Sequence, residues 1–299
     1  MKKNHSINIS IILFFAMLAV STSPVAAKLL NQNSQIDGTI IAFWRMFFAA
    51  SILWVFSLFV KQEKFTNQKN LRRSILAGFF LGIHFALFFI ALDLTKMANA
   101  AFLGTLTPVF TLILEIVFLK RKFNHWVYIG LACALIGAFV ILWGAPFDSQ
   151  NNDMVGNLCA LGCSFILAIS FLISEKVRQT ENTIVYTRTL YSSAAFILLI
   201  PLLILSKNFI PNLDEGMIYF GFFYLGLVPT IIGHNAFYYS IKYVKPTIIA
   251  TVPLGEPIIA SIIGYFLIPG ELFTTHWEFT LIGGCVSLMG IFLVIRNKG

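Results

Sequence analysis

The chain has 299 residues, of which 58% are hydrophobic and only 11% charged, with a net charge of +8. A soluble domain carries about 25% charged residues, so this deficit leaves too few charges to cover a water-facing surface and excludes a soluble globular protein. About 20 apolar residues cross a bilayer as a helix, and a chain of this length with short loops has room for roughly ten crossings.

The N-terminus, MKKNHSINISIILFFAMLAVSTSPVAA, has the basic start, apolar centre and small residues of a secretory leader. Its apolar character continues to Leu30, far enough to span, so it reads as a first membrane helix that is retained. Nine more apolar segments follow. The full set runs over residues 8–30, 38–60, 74–92, 97–119, 125–143, 156–174, 184–206, 217–241, 246–268 and 279–295. The expected fold is an all-α integral membrane protein with ten transmembrane helices.

Lys and Arg gather in alternate loops. With the N-terminus inside, 16 of the 21 fall in inner loops and ends, and only Lys28, Lys96 and Lys207 in outer ones. That asymmetry predicts both termini in the cytoplasm and an even number of spans. It also assigns the positive charge to membrane orientation, with no nucleic-acid partner. The four cysteines, Cys133, Cys159, Cys163 and Cys285, all lie in apolar segments without a CxxC pair. They read as small hydrophobes rather than as disulfides or a zinc site.

An outer linker, 145–155, divides the chain into a first unit, 1–144, and a second, 156–299, of five helices each. Landmarks recur between them. Arg45 and Arg188 sit in the second helix of each half, Pro108 and Pro257 mid-way along the fourth, and Gly130 and Gly137 in the fifth match Gly283 and Gly290 in the tenth. An odd number of helices per half makes the halves run in opposite directions. The expected architecture is therefore a 5+5 inverted-topology repeat within one membrane domain, as in many secondary transporters.

The stretch LVPTIIGHNAFYYSI, 227–241, places Pro229, Thr230, His234, Asn235 and Tyr238 inside an apolar helix. Pro229 removes a backbone donor, and in a bilayer the freed carbonyl must find a partner or face water. Thr230, His234 and Tyr238 are spaced i, i+4, i+8, one helical face, which is expected to look into a central cavity near Glu256. The alternative is a buried histidine satisfied by a neighbouring helix. His84, mid-way along the third helix, falls one position from His234 in the landmark register. Glu256 stands mid-way along the ninth helix between Gly255 and Pro257. An ionisable group at that depth is a functional candidate. It suits a proton or a substrate amine, or it caps broken backbone or pairs with Arg45 or Arg188.

Arg45 and Arg188 either bind anionic groups or snorkel to the interface and join helices. Trp44 is an interface-belt residue or a gate aromatic. On the fourth helix Asn99, Thr107, Thr111 and Glu115 form a mildly polar stripe, with Glu115 placed to pair with Lys120 or Arg121. The candidate substrate-binding set is thus His84, His234, Asn235, Glu256, Tyr238, Thr230, Thr107, Trp44 and Arg45. The chain has no GxxxxGK phosphate loop, no HExxH and no rhomboid-type GxSG serine, so it reads as a non-enzyme that hydrolyses no ATP. No cofactor or metal is expected, with proton coupling open at Glu256.

Two stretches, GIHFALFFIALDLTKMANAAFLGTLTPVF and LVPTIIGHNAFYYSIKYVKPTIIATVPLGEPIIAS, resemble the EamA-type branch of the drug/metabolite transporter superfamily. PTxxGH followed by GEP carries most of that likeness, and the terminal LIGGCVSLMG…RNKG fits it. The family's Gly-Glu pair at the end of helix 4 is replaced by LKRK, whereas helix 9 keeps PGEL, Pro269 to Leu272. The resemblance implies a multi-pass, secondary-active carrier of the bacterial inner membrane with alternating access, most often an exporter. Its substrate would be a small polar metabolite such as an amino acid or nucleotide-like compound. A quaternary-cation or multidrug exporter and a lipid-linked flippase are the alternatives. The expected partners are the substrate and the bilayer, and the chain works as a monomer or a homodimer.

Overall fold

The computed structural model describes residues 2–34, 36–95, 97–143, 154–204, 209–211, 216–267 and 277–297. The side chains of 2–8, 31–34, 93, 97–99, 142, 277 and 280 are not among those described. Lys96, Lys207, most of the 145–155 linker, the Asn99 side chain and the PGEL stretch therefore lie outside the described part.

Within it the secondary structure is helical. Helices α1 (Lys2–Ser34), α2 (Gly38–Phe59) and α3 (Gln68–Leu94) come first. A fourth unit is broken into α4 (Met97–Gly104) and α5 (Thr107–Val117), followed by α6 (His125–Trp143). Then come α7 (Met154–Arg178) and α8 (Thr183–Ile204). The next unit is α9 (Gly216–Leu225), a π-helical segment Gly226–His234 and α10 (Asn235–Ser240). Another joins α11 (Pro246–Thr251), a 3₁₀ turn Val252–Gly255 and α12 (Glu256–Leu267), and α13 (Trp277–Arg296) closes the chain. Eight of these units are long and apolar enough to cross a membrane; His125–Ile141 and Leu281–Arg296 are shorter apolar helices. The chain is therefore a multi-pass membrane protein.

Short polar residues begin the helices. The Asp37 carboxylate accepts from Thr39 N–H at 2.8 Å, Asn67 from Asn70 N–H at 2.8 Å, Asn124 from Trp126 N–H at 3.1 Å and Asn182 from Ile184 N–H at 2.9 Å. Each fills a donor that a helix start leaves free. The Asn67 cap lets α3 begin at Gln68, ahead of its apolar run, and α7 runs past its own to Arg178, so Glu175 and Arg178 become helical.

The loops at 61–67, 118–124, 179–182 and 241–245 share one end of the bundle. Thr66 meets Glu181 there, and Lys245 Nζ donates to the Lys122 carbonyl at 3.0 Å. This is the basic end. Helices α5 and α11 meet there antiparallel, through Glu115 and Thr247, and α2 and α8 run antiparallel through Trp54 and Ser192.

Helix α6 packs closely on α13. A Cβ at Gly290 would lie 2.4 Å from Ala134 N, and one at Gly137 2.4 Å from the Gly283 carbonyl oxygen. The pairing of 130 with 290 and 137 with 283 makes this crossing antiparallel, and small residues are what let two backbones approach so closely in lipid. We predict that Gly290→Val forces α6 and α13 apart and costs about 2 kcal/mol, the scale of overpacking. Gly216→Ala, where a Cβ meets nothing within 4 Å, should leave stability unchanged. Thermal unfolding of the two purified variants checks both.

Candidate functional site

The site is built around the break at Pro229. A helix would have used the N–H of residue 229 to satisfy the Leu225 carbonyl, four residues back, and proline has no such hydrogen. The chain answers with π geometry over Gly226–His234. The Thr230 hydroxyl donates to the Leu225 carbonyl at 2.8 Å, and Arg45 Nε donates to the same Thr230 oxygen at 2.8 Å. Arg45 thereby holds the far side of the repair. Its NH1 donates to Ser23 Oγ at 3.1 Å, and its guanidinium lies 5.5 Å from the Phe85 ring centre. Its NH2 is buried with no partner.

Two glycines let neighbouring helices close on this segment. A Cβ at Gly226 would strike Phe48 Cβ at 2.8 Å and Ala49 N at 3.0 Å on α2, and one at Gly233 would strike Val20 on α1 at 2.6 Å. The π segment is therefore pressed between α1 and α2, which is how Arg45 reaches it.

Tyr191 completes the frame. Its hydroxyl donates to Asn235 Oδ1 at 2.8 Å and lies 3.5 Å from the Thr230 carbonyl. Asn235 is thus engaged from α8, and its amide nitrogen is left for another partner.

The charge of Arg45 reaches Glu256, Tyr191 and Tyr238, and His234 lies within electrostatic reach of both Arg45 and His84. His84 Nδ1 is 3.0 Å from the Cys163 carbonyl. Glu256 is half-way along the 22-residue span Pro246–Leu267 and is the first residue of α12, just after the 3₁₀ turn. It forms no ion pair with Arg45 or Arg188 within 4 Å. Among the described residues neither the Glu256 carboxylate nor the His234 ring has a protein hydrogen-bond partner, and both residues remain partly accessible. In a bilayer interior such groups are costly unless something else meets them.

Not every expected residue sits as the spacing suggested. The π segment widens the turn by one residue, so Thr230, His234 and Tyr238 do not form one continuous α face. Thr230 is fully buried and supports Arg45. The Tyr238 ring is packed among Phe171, Tyr186 and Tyr191, 5.6–6.3 Å between ring centres, with its hydroxyl buried and unpartnered. Trp44 stacks on Phe222 at 5.7 Å, and its Nε1 donates to the Phe209 carbonyl at 2.7 Å. Thr107 begins α5 beside Pro108, and its hydroxyl is buried without a partner. It therefore stands in its broken unit as Glu256 stands beside Pro257 in the other.

A second polar cluster lies at the basic end. Glu115 is fully buried and accepts from Thr247 N–H at 2.9 Å and Thr247 Oγ1 at 2.5 Å, capping the start of α11 from α5. Its other oxygen meets Arg121 NH1 at 2.6 Å, and Arg121 NH1 also meets Glu175 at 2.9 Å. Beside it, Arg178 Nε donates to the Tyr238 carbonyl at 2.9 Å and NH2 to Thr183 Oγ1 at 2.6 Å, while NH1 donates to the Glu181 carbonyl. Glu181 accepts from Asn70 Nδ2 at 2.6 Å and from the Thr66 hydroxyl. No described group of His, Cys, Asp and Glu is arranged to hold a metal ion.

A protein-family model described as the EamA-like transporter family matches residues 8–143 and, a second time, residues 154–296. The chain belongs to the EamA-like transporter family. It is 26% identical to the uncharacterized transporter YdfC of Bacillus subtilis, over 84% of this chain and 79% of that protein. It is 24% identical to an uncharacterized transporter of Clostridium kluyveri over 91% and 87% of the two chains. It is 22% identical to a WAT1-related protein of Arabidopsis thaliana over 95% and 87%. A solved crystal structure, 16% identical, superposes with a TM-score of 0.72 over 94% of this chain and 97% of that one, so the fold is shared.

For this EamA-like transporter family member, sequence reasoning singled out Arg45 and Glu256 but not Ser23 and Tyr191, which bond Arg45 and Asn235. Tyr191 carried a usable signal: a hydroxyl three residues after Arg188 in an apolar helix. Arg178 entered only in the count of inner basic residues, and Glu181 and Asn70 carried no signal in the sequence. We predict that Thr230→Val, which leaves Arg45 Nε unpaired and removes the hydroxyl bond to the Leu225 carbonyl, destabilises the protein by about 2 kcal/mol. Thr230→Ser should retain most of the stability, and thermal unfolding of both variants makes the comparison.

Proposed function

We propose that this chain is a secondary-active transporter of the bacterial inner membrane, an exporter of a small polar metabolite such as an amino acid or a nucleotide-like compound. The observation that carries this reading is the set of polar groups left without protein partners deep in the bundle: the Glu256 carboxylate, the His234 ring, Arg45 NH2 and the Thr107 hydroxyl. A substrate supplies the partners the chain withholds. Arg45 and Glu256 carry opposite charges within reach of each other, which suits a molecule bearing both an anionic and a cationic group. His84, His234 and Asn235 hydrogen-bond it, and Trp44, Thr107, Thr230 and Tyr238 frame the site. Glu256 takes a proton or the substrate amine, and no other cofactor is needed. Arg45 beside Glu256 argues against a quaternary-cation exporter.

The architecture proposed is ten spans in a 5+5 inverted repeat, units 1–144 and 156–299, with the basic end and both termini in the cytoplasm. Three features support it. The family model matches each half separately. The corresponding helices α2 and α8, α5 and α11, and α6 and α13 pack against each other antiparallel. The fourth unit of each half is broken immediately before a Thr-Pro or Glu-Pro pair, as in discontinuous transporter helices. The concentration of ionic and capping links at the basic end supports a state closed on the cytoplasmic side, and export would require those links to part.

In proteoliposomes loaded with a panel of amino acids, nucleosides and nucleotide-like metabolites, one class should exchange across the membrane. Glu256→Gln and His234→Ala should each slow it at least tenfold, the scale of losing one charge-assisted bond. If both variants transport at the wild-type rate, the site assignment fails. If no metabolite moves with folded protein, the transport reading fails as well.

A further inference from the structure

Arg188 is a cation that the proposed site does not use. It lies five residues into α8 from the basic end, and Trp54 lies five residues before the end of α2, at the same level of the antiparallel pair. At 1.5 Å per residue both stand about 8 Å inside the helix ends, where the apolar core meets the headgroups. The Arg188 guanidinium stacks at 4.4 Å over the Trp54 indole. Trp54 is 47% exposed, and its ring is fixed by an Nε1–H bond to Ser192 Oγ at 3.0 Å. Ser192 Oγ in turn donates to the Arg188 carbonyl at 2.8 Å.

Among the described residues the guanidinium has no counter-ion: no carboxylate lies within 4 Å of it, it donates no hydrogen bond, and its Nε is buried without a partner. Both buried arginines among the described residues are engaged: Arg45 by Thr230 and Ser23, and Arg178 by three oxygens. A helical side chain leans toward its own N-terminus, so Arg188 leans toward the basic end and the headgroup layer. The surface around it is apolar and outward-facing: Val55, Leu58 and Phe59 on α2, and Phe196 two turns deeper on α8, are exposed. A free anion would meet hydrocarbon there, whereas a lipid brings its phosphate and its chains together.

We propose that Arg188 and Trp54 form a binding site for an anionic phospholipid of the leaflet at the basic end. The phosphodiester bonds the terminal N–H groups of Arg188, the indole holds the guanidinium plane, and an acyl chain runs along Phe196. Exposed Lys61, Lys64 and Arg72 at the same end raise the local concentration of anionic headgroups. The site ties α2 to α8, the helices that carry Arg45 and Tyr191, so the lipid steadies the frame of the candidate transport site from outside.

The test uses delipidated full-length protein in neutral detergent, mixed with equal concentrations of dioleoylphosphatidylglycerol and dioleoylphosphatidylcholine and read by native mass spectrometry. Wild-type protein should retain phosphatidylglycerol about tenfold over phosphatidylcholine, the worth of a charge-assisted bond. Arg188→Gln should bring that ratio close to one. Trp54→Leu, which keeps the charge and removes the shelf, should lower it roughly threefold, and it decides the matter should Arg188→Gln fail to fold. An unchanged ratio in either folded variant overturns the proposal. So does displacement of bound phosphatidylglycerol by inorganic phosphate at the same concentration, which would make this a soluble-anion site.

Discussion

The bond from Arg45 Nε to Thr230 Oγ1 is where the two halves of the chain meet over a backbone that lacks a donor. In water the carbonyl freed by Pro229 would simply be hydrated. In a bilayer it needs an internal partner, and Leu225 obtains one from Thr230. That hydroxyl then has a lone pair to offer, and Arg45 takes it. A charged side chain is thus brought into the bundle by the repair of a proline break. Gly226 and Gly233 are the steric condition, since a side chain at either would push α2 or α1 away. Removing any one of Pro229, Thr230, the glycines or Arg45 removes the reason for the others.

The two broken units are alike in geometry and unlike in chemistry. Thr107 and Glu256 each open the second helix of their unit and each precede a proline. A helix start favours negative charge, so the Glu256 carboxylate stands where the backbone tolerates an anion best, while Thr107 offers only a hydroxyl. The related histidines diverge in the same way: His84 is tied to the Cys163 carbonyl, and His234 is left open. An arrangement with strict two-fold symmetry would bind both ends of a ligand identically. Here the carboxylate and the open imidazole both lie in the second half, with a hydroxyl and a tied imidazole at the corresponding places in the first.

The apolar segments were legible because bilayer thickness fixes the length of an apolar run, and eight of them coincide with helices long and apolar enough to span, most ends agreeing within a few residues. The departures come from polar ends that hydropathy does not register: α3 starts at Gln68 because Asn67 caps it, and α7 continues to Arg178 because its last turn is pinned at the basic end. Within the candidate site, Arg45, His84, His234 and Glu256 stood out because charge and imidazole are rare in such a composition. The face expected of Thr230, His234 and Tyr238 was not legible in detail, because it assumed 3.6 residues per turn and the chain responds to Pro229 with a π segment. Tyr191 and Ser23 were missed for a different reason. A hydroxyl in an apolar helix is most often plain packing, and only its distance to Asn235 or Arg45 gives it a role.

The buried charges sort by what meets them. Glu115 and Arg121 are paired within the chain, Glu175 is paired through one oxygen only, and together they hold three helices at the basic end. Arg178 is satisfied by backbone and hydroxyl oxygens, which neutralise no charge but fix three segments in place. Arg45 is satisfied on two nitrogens and open on the third, Glu256 is open altogether, and Arg188 has only an aromatic face. A charge kept without a partner inside a membrane protein costs free energy in every molecule that is made. The paired groups are structure, and the open ones are the groups on which the proposed transport site and the proposed lipid site rest.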